Sequence, residues 1–321
     1  MMVLLAHTLK TFSPLLYSTF PLNIFWDGDS AVLYFFILSG FVLNESLQNK
    51  ELGFKIIINF IRKRFVRIYP AFLFVFLLSI LLFPFFAHPA SSWLTLYWQF
   101  TPDWKNILQQ SILLKRIPNE PTLRILPHDW TLSIEILISL FIPMMTLIAR
   151  KNSILFLIIL YSLIKFFHIE SFSWEFGLGV VISQQKEKLQ KLMINFSNWM
   201  KISWAIFALL ILSFANISSQ MTLRLDNFAI HSKAIGLSIL LILLLSSKKI
   251  QSILENNFIH FHGKVSYSLY LIHFIIIAIV FHFFPRIDFL PALLIVYSLS
   301  MLLATASYSW IEKTFVMKEK Q

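Results

Sequence analysis

The sequence predicts an all-α polytopic membrane protein of about ten transmembrane helices, the first of them truncated. Residues 1–321 read as a single membrane-embedded domain, with no polar stretch long enough to be a soluble extra domain. Three observations carry this. Apolar residues make up 57% of the chain and charged residues 13%, whereas a soluble domain carries about 25% charged residues. Apolar runs recur at close to the length of about 20 residues that a helix needs to cross a bilayer. Phenylalanine is abundant (34) and glycine scarce (7), which suits long helices rather than the short alternating strands and turn residues of a barrel.

The elements follow in order. Met1–Phe12 is apolar but too short to span, so it reads as a stub. Ala31–Leu47 and Ile68–Ala87 come next, separated by a basic segment. Trp130–Ala149, Ser153–Phe167, Phe172–Ser183, Ser203–Ile217 and Phe228–Ser247 are shorter or lightly interrupted runs. Val265–Pro285 and Phe289–Ile311 close the set, for about nine full spans plus the stub. The longest loop, Pro89–Asp129, carries Trp93, Trp98 and Trp104. They read as interfacial anchors or as part of a re-entrant lid.

The net charge of +11 does not point to nucleic acid, because the basic residues sit in short clusters between apolar runs. Most of the 27 Lys and Arg fall at Lys50–Arg67, Arg150–Lys151, Lys186–Lys201, Lys248–Lys264 and Lys313–Lys320. The positive-inside rule places these segments and both termini in the cytoplasm. Zero cysteines exclude disulfides, thiolate metal sites and thiol nucleophiles. The start, MMVLLAHTLK, lacks the basic n-region and cleavage site of a signal peptide. No internal repeat supports a transporter built of inverted halves. No G-x-S-x-G or Walker loop supports a serine hydrolase or a nucleotide hydrolase.

Ionisable residues are expensive inside a membrane, so each one there is a candidate for function. His7 follows the apolar lead MMVLLA and is either functional or a histidine snorkelling at a helix end. Glu135, one turn into the run that opens DWTLSIEI, either caps the helix start or orients a catalytic imidazole. Arg64 and Arg67 in RKRFVRIYP share a helical face. They are a positive-inside clamp or a pair able to clasp phosphate. Tyr267, Tyr270 and His273 in SYSLYLIH also have helical spacing and form either a polar wall or ordinary interhelical hydrogen bonds. Ser39–Gly40 reads as a small-residue packing contact. His260 and His262 lack a further nearby ligand, so no metal site is expected.

Taken together, these segments resemble the acyltransferase-3 family of membrane enzymes that O-acylate sugars, in order and nearly end to end. His7 is similar to the family's catalytic histidine at the end of the first helix. AVLYFFILSGFVL (Ala31–Leu43), which contains Ser39, resembles its phenylalanine-rich second helix. Arg64 and Arg67 resemble the Arg-x-x-Arg loop linked to coenzyme A. WTLSIE (Trp130–Glu135), FGLG (Phe176–Gly179), SYSLYLIH (Ser266–His273) and IEK (Ile311–Lys313) resemble later motifs. The departures are specific. The family's arginine eleven residues before the histidine, with half the first helix, lies beyond the start of this chain. Ala31 and Leu33 replace Gly and Asp, Thr131 a serine, and Ile136 a second glutamate.

The resemblance implies transfer of an acyl group, acetyl in the commonest case, from a coenzyme A thioester to a hydroxyl of a cell-surface polysaccharide or other sugar-containing acceptor. It implies catalytic roles for His7 and Glu135 and donor binding by Arg64 and Arg67. Substrate-site candidates are Ser39, Trp130, Tyr267, Tyr270 and His273. It implies no permanently bound cofactor, with acyl-CoA as co-substrate, and membrane lipids rather than nucleic acid as surroundings. It also implies a multi-pass place in the bacterial inner membrane. A base is needed because a sugar hydroxyl is a poor nucleophile, and histidine, with an unperturbed pKa of about 6.5, suits the task. His7 either deprotonates the acceptor or carries the acyl group. A lipid-linked sugar flippase or transporter, or a catalytically inactive truncated family member, is the alternative class.

Overall fold

The computed structural model describes residues 1–19, 22–86, 103–113, 125–167, 172–222 and 227–318. Among them there is no strand. The helices are α1 (Met2–Phe12), α2 (Pro14–Tyr17), α3 (Gly28–Leu47), α4 (Phe54–Phe86), α5 (Trp104–Ser111), α6 (Asp129–Lys151), α7 (Ser153–Phe167) and α8 (Ser173–Gln184). They continue as α9 (Lys186–Asn195), α10 (Asn198–Thr222), α11 (Asn227–Ser246), α12 (Lys248–Leu254), α13 (Asn257–Phe283), α14 (Phe289–Ser307) and α15 (Lys313–Lys318). A 3₁₀ turn covers Leu22–Trp26, and a π-helical turn covers Tyr308–Glu312.

Seven helices among the described residues are long and apolar enough to cross a membrane: α3, α4, α6, α10, α11, α13, and α14 with its continuation to Phe315. Three further helices are shorter: α1, where the sequence predicts only a stub, and α7 and α8, where it predicts spans. At 1.5 Å per residue, α1, α7 and α8 reach about 16, 22 and 18 Å, against a hydrocarbon core of about 30 Å. Many large apolar side chains point outward, among them Leu77, Leu81, Ile154, Leu210 and Leu302. In water such a surface would drive association; in lipid it is solvated. The protein is a multi-pass membrane protein.

Two segments differ from the sequence expectation. The basic stretch before Ile68 is not a loop but the first turns of α4, a 33-residue helix about 50 Å long. Nothing between Phe54 and Pro70 breaks a helix, and Lys, Arg and Ile all tolerate one. For the same reason α13 begins at Asn257 and takes in His260 and His262. His262 Nε2 lies 2.7 Å from the Tyr297 hydroxyl, a neighbour that the sequence spacing alone does not indicate. Trp104 opens α5 behind the Asp103 cap and is exposed, while Trp93 and Trp98 lie outside the described residues.

The residues group into two compact units, each drawn from discontinuous stretches. The first comprises Met1–Gly28, Ile58–Leu137 and His260–Gln321; the second comprises Asp29–Ile57 and Ile138–Ile259. In the first unit, Ile68, Phe72, Val75 and Phe76 of α4 form one apolar core with Leu132 and Ile136 of α6 and Leu271, Phe274, Ile277 and Val280 of α13. Leu4 of α1 and Val296 of α14 join that core.

In the second unit α3 meets α8 backbone to backbone. A Cβ on Gly40 would run into the Phe176 carbonyl, and one on Gly179 into the Ile37 carbonyl. Phe36 closes the seam, its ring 5.2 Å from that of Phe176 and 5.3 Å from that of Phe172. At the far end of α3 the polar groups pair with one another. Asn44 Nδ2 donates to Ser183 Oγ at 2.7 Å, and Ser183 donates to Glu45 at 2.8 Å. Lys186 closes on Glu45 at 2.9 Å. Arg150 donates to the carbonyls of Leu47, Gln48 and Lys50 at 2.7, 2.7 and 3.0 Å, supplying partners that the helix end otherwise lacks.

Candidate active site

The first unit gathers three imidazoles. His7 lies in the middle of α1, whose Leu4, Ala6, Thr8 and Leu9 are buried, and its own ring is half-buried. His7 Nδ1 is 3.0 Å from Nε2 of His273, which is 1% exposed on α13. His273 Nδ1 is 2.6 Å from the backbone carbonyl of Tyr270. A carbonyl only accepts, so the proton between them belongs to His273 Nδ1. In the neutral ring Nε2 then carries the lone pair, and His7 Nδ1 must donate to it. The remaining nitrogen of His7, Nε2, is therefore the basic one. One hydrogen-bond chain thus sets the tautomer of His7.

His128 is the third imidazole, on the turn that leads into α6. It is 3% exposed, with its ring 5.1 Å from that of His273 and 4.8 Å edge-on from that of Tyr270. The backbone of the same residue is tied down. The Tyr270 hydroxyl and Thr131 Oγ1, 2.7 Å apart, lie 3.2 and 2.9 Å from the His128 carbonyl. Neither ring nitrogen of His128 has a hydrogen-bond partner, although the Leu271 backbone lies near. Burial, with a smaller contribution from His273, holds this imidazole well below the ordinary histidine value, so it is neutral at physiological pH.

A second polar cluster lies on the same unit around α4. Arg62 and Lys63 are exposed while Arg64 and Arg67 are half-buried, the shared face that their spacing predicts. Arg67 Nη1 pairs with Glu312 at 2.8 Å, and the Glu312 side chain is 1% exposed. Glu312 also accepts from Ser268, whose hydroxyl lies 3.0 Å from that of Ser307. The π-helical turn widens the backbone at Glu312, the kind of local irregularity that re-aims a side chain. The Arg67 guanidinium lies 5.8 Å over the Tyr267 ring, and the Tyr267 hydroxyl donates to the Ile68 carbonyl at 2.8 Å. Glu135 is buried, and the charges that act on it are those of Arg64 and Arg67.

Of the residues singled out from sequence, His7, Arg64, Arg67, Trp130, Glu135, Tyr267, Tyr270 and His273 all belong to the first unit. Trp130 is half-buried in the first turn of α6. Ser39 belongs to the second unit, half-buried beside Gly40. His128 and Glu312 escaped the sequence reading as individual site residues. Their signal was present: a histidine at the mouth of a span, and an acid ending the last one. Glu175 of the second unit was missed as well; it is fully buried, with neither carboxylate oxygen hydrogen-bonded.

The fold and the site define a multi-pass membrane protein with an imidazole cluster built into its helices. Residues 1–310 match the acyltransferase-3 family, described as an acyltransferase domain. The chain belongs to that family, and it is a membrane acyltransferase. Searches of curated proteins and of solved structures find no match.

Proposed function

We propose that the protein moves an acyl group, acetyl in the simplest case, from a coenzyme A thioester to a hydroxyl of a sugar-containing acceptor. His7 is the general base. The observation that carries this reading is the half-buried imidazole of His7, held through Nδ1 by His273 in a chain of the acyltransferase family. Nε2 takes the hydroxyl proton as the oxygen attacks the thioester carbon. The tetrahedral intermediate collapses, the carbon–sulfur bond breaks, and the coenzyme A thiolate takes the proton back from His7. Products are an ester and free thiol, and the base is restored. The donor's phosphates meet the basic start of α4. There Arg64 supplies the bidentate contact, and Arg67, committed to Glu312, holds the frame with Glu135. The clustering of basic residues at one set of helix ends supports a bacterial inner membrane with both termini cytoplasmic.

One experiment tests both parts. Radiolabelled acetyl-CoA is supplied to inverted and to right-side-out membrane vesicles, and label in the polysaccharide fraction is counted. Wild-type protein transfers label in inverted vesicles only, and His7→Ala lowers the rate by about 10²–10⁴-fold. Full transfer by inserted His7→Ala overturns the base assignment. Transfer from right-side-out vesicles overturns the orientation.

A further inference from the structure

The imidazole of His128 is the least explained polar group in the first unit. It is 3% exposed, its backbone carbonyl is held by two hydroxyls, and neither ring nitrogen makes a hydrogen bond of ordinary geometry, although the Leu271 backbone lies near. A neutral imidazole has one N–H donor and one acceptor, and buried polar groups in native proteins are almost always paired. An orphan of this kind at a reactive cluster is a group whose partner arrives with the substrate. The ring has little freedom to seek a partner elsewhere. Tyr270 packs edge-on at 4.8 Å, and the Phe274 ring lies 6.2 Å away. It also sits 5.1 Å from His273, the ring that holds His7.

We propose that His128 is a catalytic residue whose N–H binds the carbonyl oxygen of the acyl donor and stabilises the oxyanion formed on attack. The inference rests on the acyl-transfer reading above. When the acceptor oxygen adds to the thioester carbon, the carbonyl π pair moves onto oxygen. His128 donates a hydrogen bond to that oxygen and neither gains nor loses a proton. When the intermediate collapses, the pair returns and the thiolate leaves. Two requirements are met by the position. The donor must be neutral, so that it does not protonate the oxyanion outright, and burial among rings keeps it so. It must also be fixed before the reaction, because a donor that needs no reorganisation stabilises most. The Thr131 and Tyr270 hydroxyls fix its backbone.

The test uses the full-length protein in nanodiscs with acetyl-CoA labelled with carbon-13 at the carbonyl, and no acceptor. Wild type lowers the carbonyl stretch of bound acetyl-CoA relative to the free thioester. His128→Phe, a ring of similar shape without a donor, returns the band towards its free position, and His128→Gln, which keeps an N–H, restores part of the shift. In turnover, His128→Phe lowers kcat by about 10²–10³-fold with little change in KM for acetyl-CoA. Its thermal stability equals or exceeds wild type, because an unpaired polar group has been replaced by an apolar one. A purely structural His128 would instead lose stability. If the Phe variant does not insert, His128→Leu takes its place. An unshifted band in wild type, or a shift that survives loss of the imidazole, overturns the proposal. Loss of the His7 effect alone, with the carbonyl shift intact, overturns the base assignment and leaves His128 standing.

Discussion

The polar seam of the second unit and the imidazole cluster of the first are built in opposite ways. Along α3 and α8, Asn44, Glu45, Ser183, Gln184 and Lys186 bond to one another at 2.7–3.1 Å, and glycines let the backbones touch. Beside His273, by contrast, neither ring nitrogen of His128 has a hydrogen-bond partner. A saturated network rigidifies and has nothing left to offer a ligand. An unsaturated one costs stability and persists where chemistry uses it. On the proposed mechanism, the difference separates polar residues that hold the fold from those that act.

The sharpest way to break this contrast is at the seam itself. Gly40→Leu drives a side chain into the Phe176 backbone, and no rotamer avoids a contact that begins at Cβ. The variant is expected to lose monodisperse, inserted protein altogether, read by fluorescence-detected size exclusion. Gly53→Ala, where a Cβ meets nothing within 4 Å, serves as its silent control. Normal behaviour of Gly40→Leu would mean that α3 and α8 can separate freely.

Arg67→Ala comes next and asks to which kind of region the arginine cluster belongs. Removing it leaves Glu312 buried without its cation, a loss of about 3 kcal/mol when one partner of a buried pair is deleted. The 36% exposure of the Arg67 side chain pulls the loss toward the low end. Thermal unfolding should fall accordingly, and Glu312→Gln in the same protein should recover part of it. Arg64→Ala is expected to raise KM for acetyl-CoA. If Arg67→Ala changed only KM, the ion pair would be incidental and Arg67 a donor contact.

The smallest expected effect belongs to Asn44→Ala. It removes one buried hydrogen bond to Ser183 and one from Gln184, a loss of about 1–2 kcal/mol, visible as a lower unfolding midpoint with unchanged kcat. Set beside His128→Phe, expected to lower kcat without lowering the midpoint, it is the direct contrast between the two regions. A matching drop in kcat for Asn44→Ala would erase it.

Helix existence was legible because lipid imposes a length and a composition on every span, and those are properties of contiguous residues. Helix ends were less so. The basic start of α4 has the charge pattern of a loop, yet charge alone does not break a helix. His7 and His273 were each legible as costly polar residues in apolar runs, and Arg64 and Arg67 as sharing a face. The contact between His7 and His273 was not, since 266 positions separate them. Nor was the use of Arg67 by Glu312, 245 positions away.

What the sequence by itself determined is the membrane class, the helical architecture and the family, because each rests on local composition or on motifs kept in order. Only the tertiary structure decided which polar residues are satisfied. It paired Asn44 with Ser183 and Arg67 with Glu312, set the tautomer of His7 through the Tyr270 carbonyl, and left His128 unpaired. Hydrogen bonding and burial depend on groups that folding brings together from distant positions, and no stretch of sequence contains both partners.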